Sequence, residues 1–478
     1  MRVPIAKWVR QLERRALTRR SLLRGAAAAL LFGACGDDRA RGGDGRGDGG
    51  VPPPDAPRGP APGELVEAPL STFPLGVASG DAGADRVSLW GQYRGLAALY
   101  VAVWEVVDEA YGDVVAWARV NLRDGGFGQV DLDGLAPGAP YVFAFVEVVD
   151  DEAVGRSALG QFRTALAPDE VAPLRFGATS CTRNRLSMAA MTHAGSRDDL
   201  AFFALLGDTF YNARARTRDE FRLGWAENLR TLGYRQLRAS TSVLATWDDH
   251  EIANNWDPES LPEPLLLEGS AALFEHLPIR RDRQRPDRIY RSTRWGKTVE
   301  VFVLDCRSER RPSTRLRADA QYLSRAQMDW LKSGLAASPC AFKVILNSVP
   351  ITNFPSVFDV VAADRWEGYP AARQEILSFI EGEAIGGVLW LSGDFHFASA
   401  GRVAPAGQLG ASALEVLVGP AAQDPNPLWA AIVDTPQFDF ASGTNNYAVI
   451  DLEPGERRAT FTFHDPRGDV FATRSFVV

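Results

Sequence analysis

The sequence predicts an α/β core preceded by an antiparallel β-sandwich, and three patterns carry that expectation. Between Phe73 and Ala165, stretches such as RVSLWGQY, ALYVAVWEVV and PYVFAFVEV alternate apolar with polar residues and are broken by DGG and APGAP turns. That period of two belongs to strands with one buried face. After Pro173 the pattern becomes one of continuous apolar runs: LRFGATSC, AFFALLGDTF, STSVLATWDDHE, VEVFVLDCRS, AFKVILNSVP and GGVLWLSGDF, each closing on small, polar or charged residues. Strands buried on both faces read this way, their C-terminal ends opening into loops. Third, helix-compatible sequence lies between several runs, including FRLGWAENLRTLGYRQLRAS and SRAQMDWLKSGLAAS. With 46% hydrophobic and 23% charged residues, 478 residues supply one large domain plus a smaller one. Basic residues number 52 against 60 acidic ones, a formal charge of −8, which argues against a nucleic-acid partner.

In chain order, residues 1–35 read as a transport signal. TRRSLLRG, with Arg19 and Arg20 as its pair, resembles the twin-arginine signal recognised by the bacterial translocation machinery. The apolar stretch from Gly25 to Gly33 is far below the roughly 20 residues that span a bilayer. Cys35, in FGAC, resembles a lipoprotein processing site, so the expected location is extracytoplasmic, either periplasmic or held at a membrane surface by a lipid on Cys35. From Gly36 to about Pro62 the chain is Gly, Asp, Arg and Pro with scarcely an apolar residue, and a disordered linker is expected over 36–69. The sandwich is placed at 70–168 and the catalytic domain at 169–478. Four cysteines, Cys35, Cys181, Cys306 and Cys340, are too few for a disulfide-built fold.

Four strand ends carry metal-ligand chemistry: Cys181; Asp208 with Tyr211; Asp248, Asp249 and His250 with Asn254; and Asp394 with His396. Each alone reads as a cap or an ordinary turn. Together they offer hard carboxylate oxygens, imidazole nitrogens, a thiolate and a phenolate, the donor types that hold metal ions. Asn254, four residues beyond His250, shares its face if a helix starts there. Arg307, in DCRSERR, offers a guanidinium fork to phosphate, with pairing to Asp305 as the structural alternative. Cys306 and Cys340 read as small buried hydrophobes, and His193, His276 and His464 lack a ligand pattern. Trp366 and Tyr369 shape an entrance or pack internally. Neither a GxxxxGK[ST] loop nor a GxSxG elbow is present, which weakens ATPase and serine-hydrolase readings.

The ordered segments FPLGVASGDAGADRVSLW, FGATSC, LGDTFYNA, TWDDHEIANNW, LDCRSERR, DRWEGYPAAR and LSGDFHFAS resemble the PhoD-like alkaline phosphatases, within the calcineurin-like metallophosphoesterase fold. The resemblance covers about residues 70–455. It implies a four-layer α/β/β/α core behind an immunoglobulin/fibronectin-like β-sandwich. It also implies hydrolysis of phosphate monoesters, and of diesters, by a metal-activated hydroxide. By resemblance, Cys181, Asp208 and Tyr211 serve an iron site, while Asp208, one of Asp248 and Asp249, and Asn254 hold calcium, with Asp394 and His396 completing the metal region. Zinc, manganese and magnesium are the alternative ions. Asp208, Asp249, His250, Arg307, Asp394 and His396 form the expected catalytic set. Asn212 stands where an acidic residue often follows the tyrosine in the resembling family. Two other functions fit the same residues: a specialised extracytoplasmic phosphodiesterase or phospholipase D-like enzyme, and a non-catalytic surface binding protein with a structural metal.

Overall fold

The computed structural model describes Val3–Pro4 and residues 60–183, 185–212 and 214–478. The twin-arginine motif, Cys35 and the linker up to residue 59 lie outside the described residues. Residues 60–68, which the composition assigns to the linker, are instead seated on the first folded layer. Leu65 is buried, the Pro60 carbonyl accepts the Trp104 indole N–H at 3.0 Å, and the Pro62 carbonyl accepts Arg156 Nε at 2.9 Å.

Two sheets stack at the centre. The first runs, edge to edge, through Val470–Val477, Arg458–His464, Tyr447–Glu453, Leu174–Thr179, Phe203–Leu206, Val243–Thr246, Val77–Gly80, Arg86–Gln92, Phe127–Asp133 and Leu122–Arg123. The second runs through Arg291–Trp295, Val299–Val303, Phe342–Asn347, Val388–Ser392, Leu414–Leu417, Ala398–Arg402 and Phe438–Ser442. The middle strands of each sheet are parallel. Alternation explains why the apolar runs are unbroken: Ala204 and Leu206 join Val301, Val303, Val344 and Leu346 in the core between the sheets. Phe203 and Leu205 point the other way, onto the helices Ala189–Ala194, Arg218–Leu229, Leu232–Ser240 and Glu263–His276. Phe302, Ile345 and Trp390 meet the helices Arg325–Ala337 and Pro370–Gly382 on the opposite outer face. Each strand is therefore covered twice, and the layers follow the order α/β/β/α. The helix starts are written locally: Thr217 accepts the Glu220 N–H in a capping box, and Ser324 accepts the Gln327 N–H.

The N-terminal strands form two antiparallel layers, and one of them is an extension of the central sheet. Gly80 pairs in parallel with Val243, and the sheet continues through Arg86–Gln92 and Phe127–Asp133. The other layer, Ala98–Val107, Ala110–Arg119, Pro140–Val149, Glu152–Arg156 and Gly160–Arg163, packs across it through Val101, Val103, Phe143 and Phe145. These side chains belong to the same contiguous apolar core as the catalytic strands. Among the described residues, no helix is long and apolar enough to cross a membrane.

Candidate metal centre

The site forms where the parallel strands stop. Leu174–Thr179 ends just before Cys181, Phe203–Leu206 before Asp208, Val243–Thr246 before Asp248 and Asp249, and Val388–Ser392 before Asp394 and His396. Parallel neighbours end side by side, so residues far apart in sequence meet at one rim. The chain turns sharply there: Cys181, Asp208, Asp394 and His396 all have positive φ, at 56°, 54°, 66° and 55°. Non-glycine residues adopt that conformation at a cost of about 1–3 kcal/mol each and keep it where the surroundings enforce it. Gly207, at φ 96°, permits the closest approach, because a Cβ there would sit 2.6 Å from Asp248 Cβ.

Three donor groups lie within reach of a shared ion: Cys181, Asp208 and His396; Asp208, Asp249 and His250; and Asp248, Asp249 and Asp394. Asp208 belongs to two of them. Its Oδ2 accepts the Tyr211 hydroxyl at 2.9 Å and lies 3.9 Å from His396 Nε2, while its Oδ1 faces the His250 backbone N–H at 3.4 Å. The Tyr211 hydroxyl also lies 3.0 Å from His396 Nε2, and the Tyr211 ring packs on His250 at 4.1 Å between centroids. The Asp208 backbone is pinned by the Thr182 N–H and hydroxyl, and Asn228 ties the carbonyls of Thr182 and Thr209 together.

The donor set lacks positive charge. Burial and the neighbouring Asp208 push the Cys181 thiol and the Tyr211 phenol well above their ordinary ranges. Burial, then Asp248, raises the Asp394 carboxyl in the same direction. Burial also raises Asp249 despite Arg307, and Asp249 Oδ1 is buried with no hydrogen-bond partner while Oδ2 accepts the Asn255 N–H. A buried orphan carboxylate oxygen among thiol, phenol, imidazole and further carboxylates is the arrangement a cation resolves. The residues present therefore fit metal binding.

Several expectations change. Arg307 is fully buried and pairs with Asp248 at 2.6 and 3.0 Å and with Asp364 at 2.8 and 2.9 Å. Its guanidinium is occupied by these two carboxylates. Asp305 instead caps the following turn, accepting from the Arg307 and Ser308 backbone N–H groups and from the Trp247 indole. Asp248 also accepts the Ser348 hydroxyl at 3.0 Å, so both its oxygens have protein partners. No helix begins at His250; the segment is a series of turns, and Asn254 lies exposed on it. Trp366 and Tyr369 are fully buried against Tyr322 and shape no entrance. His193 bonds the Tyr447 hydroxyl at 2.6 Å, away from the centre. The hydroxyls of Thr179 and Ser180 are spent on the carbonyls of Asn446 and Val418.

Three contributors escaped the sequence reading. Glu251, buried, accepts the backbone N–H groups of Thr209 and Asp248 and so locks two of the strand-end loops together. Asp364 closes the Arg307 network with Arg310, and these two arginines hold its carboxyl below the usual range against the effect of burial. Glu251 stood in the noted DDHE stretch and Asp364 in DRWEGYP, but only three-dimensional proximity gives them partners. Arg183, two residues beyond Cys181, is exposed with its guanidinium 5.9 Å from the Tyr211 ring centre.

The PhoD-like phosphatase family matches residues 176–437. Alkaline phosphatase D of Bacillus subtilis (strain 168) is 27% identical over 394 residues, covering 70% of this chain, and the chain spans 66% of that protein's length. A solved PhoD structure superposes with a TM-score of 0.72 at 21% identity, over 85% of this chain and 90% of its own. Purple acid phosphatase PPD1 from yellow lupin (Lupinus luteus) seeds shares the fold at a TM-score of 0.62 and 13% identity, over 84% and 73% of the two chains. The rim of strand-end donor groups thus lies within a fold common to two phosphatases, and the chain belongs to the PhoD-like phosphatase family.

Proposed function

We propose that the protein hydrolyses phosphate monoesters, and diesters with them, at a centre of iron and calcium. The observation that carries this reading is that Asp208 joins Cys181, Tyr211 and His396 on one side to Asp249 on the other, where Asp249 shares a donor group with Asp394 and keeps Oδ1 unpartnered. Thiol, phenol and imidazole on one side suit iron, and the carboxylates on the other suit calcium, with Asp208 shared. When bound, such cations supply positive charge to phosphoryl oxygens and lower the pKa of a water molecule. The chain's own residues do the rest. Asp208 holds Tyr211 and His396 in register, Glu251 fixes the loops of Asp208 and Asp248, and the Asp248–Arg307–Asp364 network stops one wall from moving. His250 and His396, both only half-buried, place imidazoles where a proton is held or passed to a leaving oxygen. Arg183 supplies the exposed guanidinium for a phosphate oxygen that Arg307 cannot reach. Turnover of a phosphomonoester and a phosphodiester by wild type and His396→Ala tests the reading: both activities should fall together, and unchanged turnover in the folded variant contradicts it.

The same reading extends to location and organisation. Arg19 and Arg20 direct export, and Cys35 carries a lipid that leaves the enzyme at a membrane surface; fractionation after Arg19→Lys with Arg20→Lys and intact mass of the mature chain check the two parts. Residues 70–168 act as an immunoglobulin/fibronectin-like sandwich sharing a sheet with the catalytic part, so limited proteolysis should not release a stable N-terminal fragment.

A further inference from the structure

Away from the metal centre, a cavity of about 340 Å³ opens between the start of the Arg86–Gln92 strand, the segment after the Glu263–His276 helix and the Arg291–Trp295 strand. Five arginines line it: Arg86, Arg280, Arg281, Arg288 and Arg291. In a chain of net charge −8, such a concentration of one sign is self-repelling unless anions offset it. The protein offsets only part. Asp81 is consumed by the Arg291 fork at 2.8 and 2.9 Å and by the Arg280 backbone N–H at 2.7 Å. Asp282 takes Arg288 at 2.8 Å and caps the backbone of Gln284 and Arg285. Arg280 reaches out to the half-exposed Asp133 at 2.8 Å. Arg86 pairs with no carboxylate among the described residues.

Two of these side chains also pack on aromatic rings: Arg288 lies over the Tyr290 ring at 5.0 Å and Arg281 over the Phe274 ring at 4.4 Å. Guanidinium groups that line one space, with Arg86 left unpaired among the described residues, match tetrahedral oxyanions. The volume is at the lower end of small-molecule sites, about 300–1,000 Å³, which suits a compact ligand. We propose that this cavity is a second anion site, separate from the metal centre, that takes a small phosphate-bearing anion. An occupant there would tie the first sheet to the second, since Arg86 and Arg291 begin strands in different sheets.

Calorimetric titration of the full-chain holoenzyme with inorganic phosphate tests the proposal. Wild type should bind phosphate in two classes. Arg86→Ser should weaken one class by about tenfold or more and leave kcat for a phosphomonoester unchanged, whereas Asp208→Asn should abolish the other class alone. Arg86 is exposed, so its replacement leaves the fold in place, and Arg288→Ser gives a second, independent probe of the same class. Equal phosphate uptake by wild type and both arginine variants, or loss of all uptake in Asp208→Asn, overturns the second site.

Discussion

Two groups of buried charge lie side by side at the strand ends, and they differ in what completes them. In the first, Asp248, Arg307, Asp364 and Arg310 pair with one another: the Arg307 fork takes both oxygens of Asp248, its Nη1 takes both oxygens of Asp364, and Arg310 reaches Asp364 at 2.7 Å. In the second, Asp208, Asp249, Asp394, Cys181, Tyr211 and His396 hold several acidic groups together with no ion pair to arginine or lysine among the described residues, one carboxylate oxygen unpartnered and four residues at positive φ. Asp248 and Asp249 are adjacent in the chain and share a donor group, yet Asp248 has partners on both oxygens while Asp249 keeps Oδ1 unpartnered. The difference teaches that a buried charge by itself identifies no function. A closed network braces the fold, and an open one needs a ligand from outside.

The largest expected effect breaks the closed network. Arg307→Leu leaves Asp248 buried without its counter-charge and Asp364 with Arg310 alone, and denaturant unfolding should show a loss of about 3–5 kcal/mol. Asp208→Ala breaks the open group instead. Turnover should fall roughly a hundredfold or more, about 3 kcal/mol, with metal content falling and circular dichroism near native. The two variants thus separate bracing from chemistry.

His276 sharpens the contrast from outside both groups. It is buried between Trp225 and Phe127, its Nδ1 lies 2.7 Å from the Ala272 carbonyl, and its Nε2 has no partner. Burial lowers its pKa to about 3. Because the unfolded chain binds this proton below about pH 6.5 while the folded chain refuses it, the contribution favours folding at neutral pH and is lost as pH falls toward 3. Stability should drop by up to about 1.4 kcal/mol per pH unit across that window, and His276→Phe should flatten this part of the profile. The smallest effect concerns the mouth. Arg183→Ala should raise KM for a phosphomonoester by about tenfold with little change in kcat, and Arg183→Lys should restore part of the loss.

The strand ends were legible because an apolar run followed by Asp, Cys or His marks a buried strand opening into a loop, and four such exits place their side chains on one rim. The layers were legible for the same reason: runs without alternation need cover on both faces. Sequence could not show that Arg307 spends its fork on Asp248 and Asp364, since a segment written DCRS places Asp305 nearest and the true partners are 59 and 57 residues away. Nor could it show Glu251 bridging two loops, or residues 60–68 docking on the first layer through Leu65 and two proline carbonyls. Those features depend on which loops become neighbours, and composition carries no record of that.

The central claim is that the open group is completed by cations and that turnover depends on them. Metal content per chain, measured together with phosphomonoester turnover before chelation, after it and after adding iron and calcium back, tests this most directly. The account predicts iron and calcium in the purified protein, loss of turnover in step with loss of metal, and recovery on restoration. Full turnover by metal-free protein would contradict it.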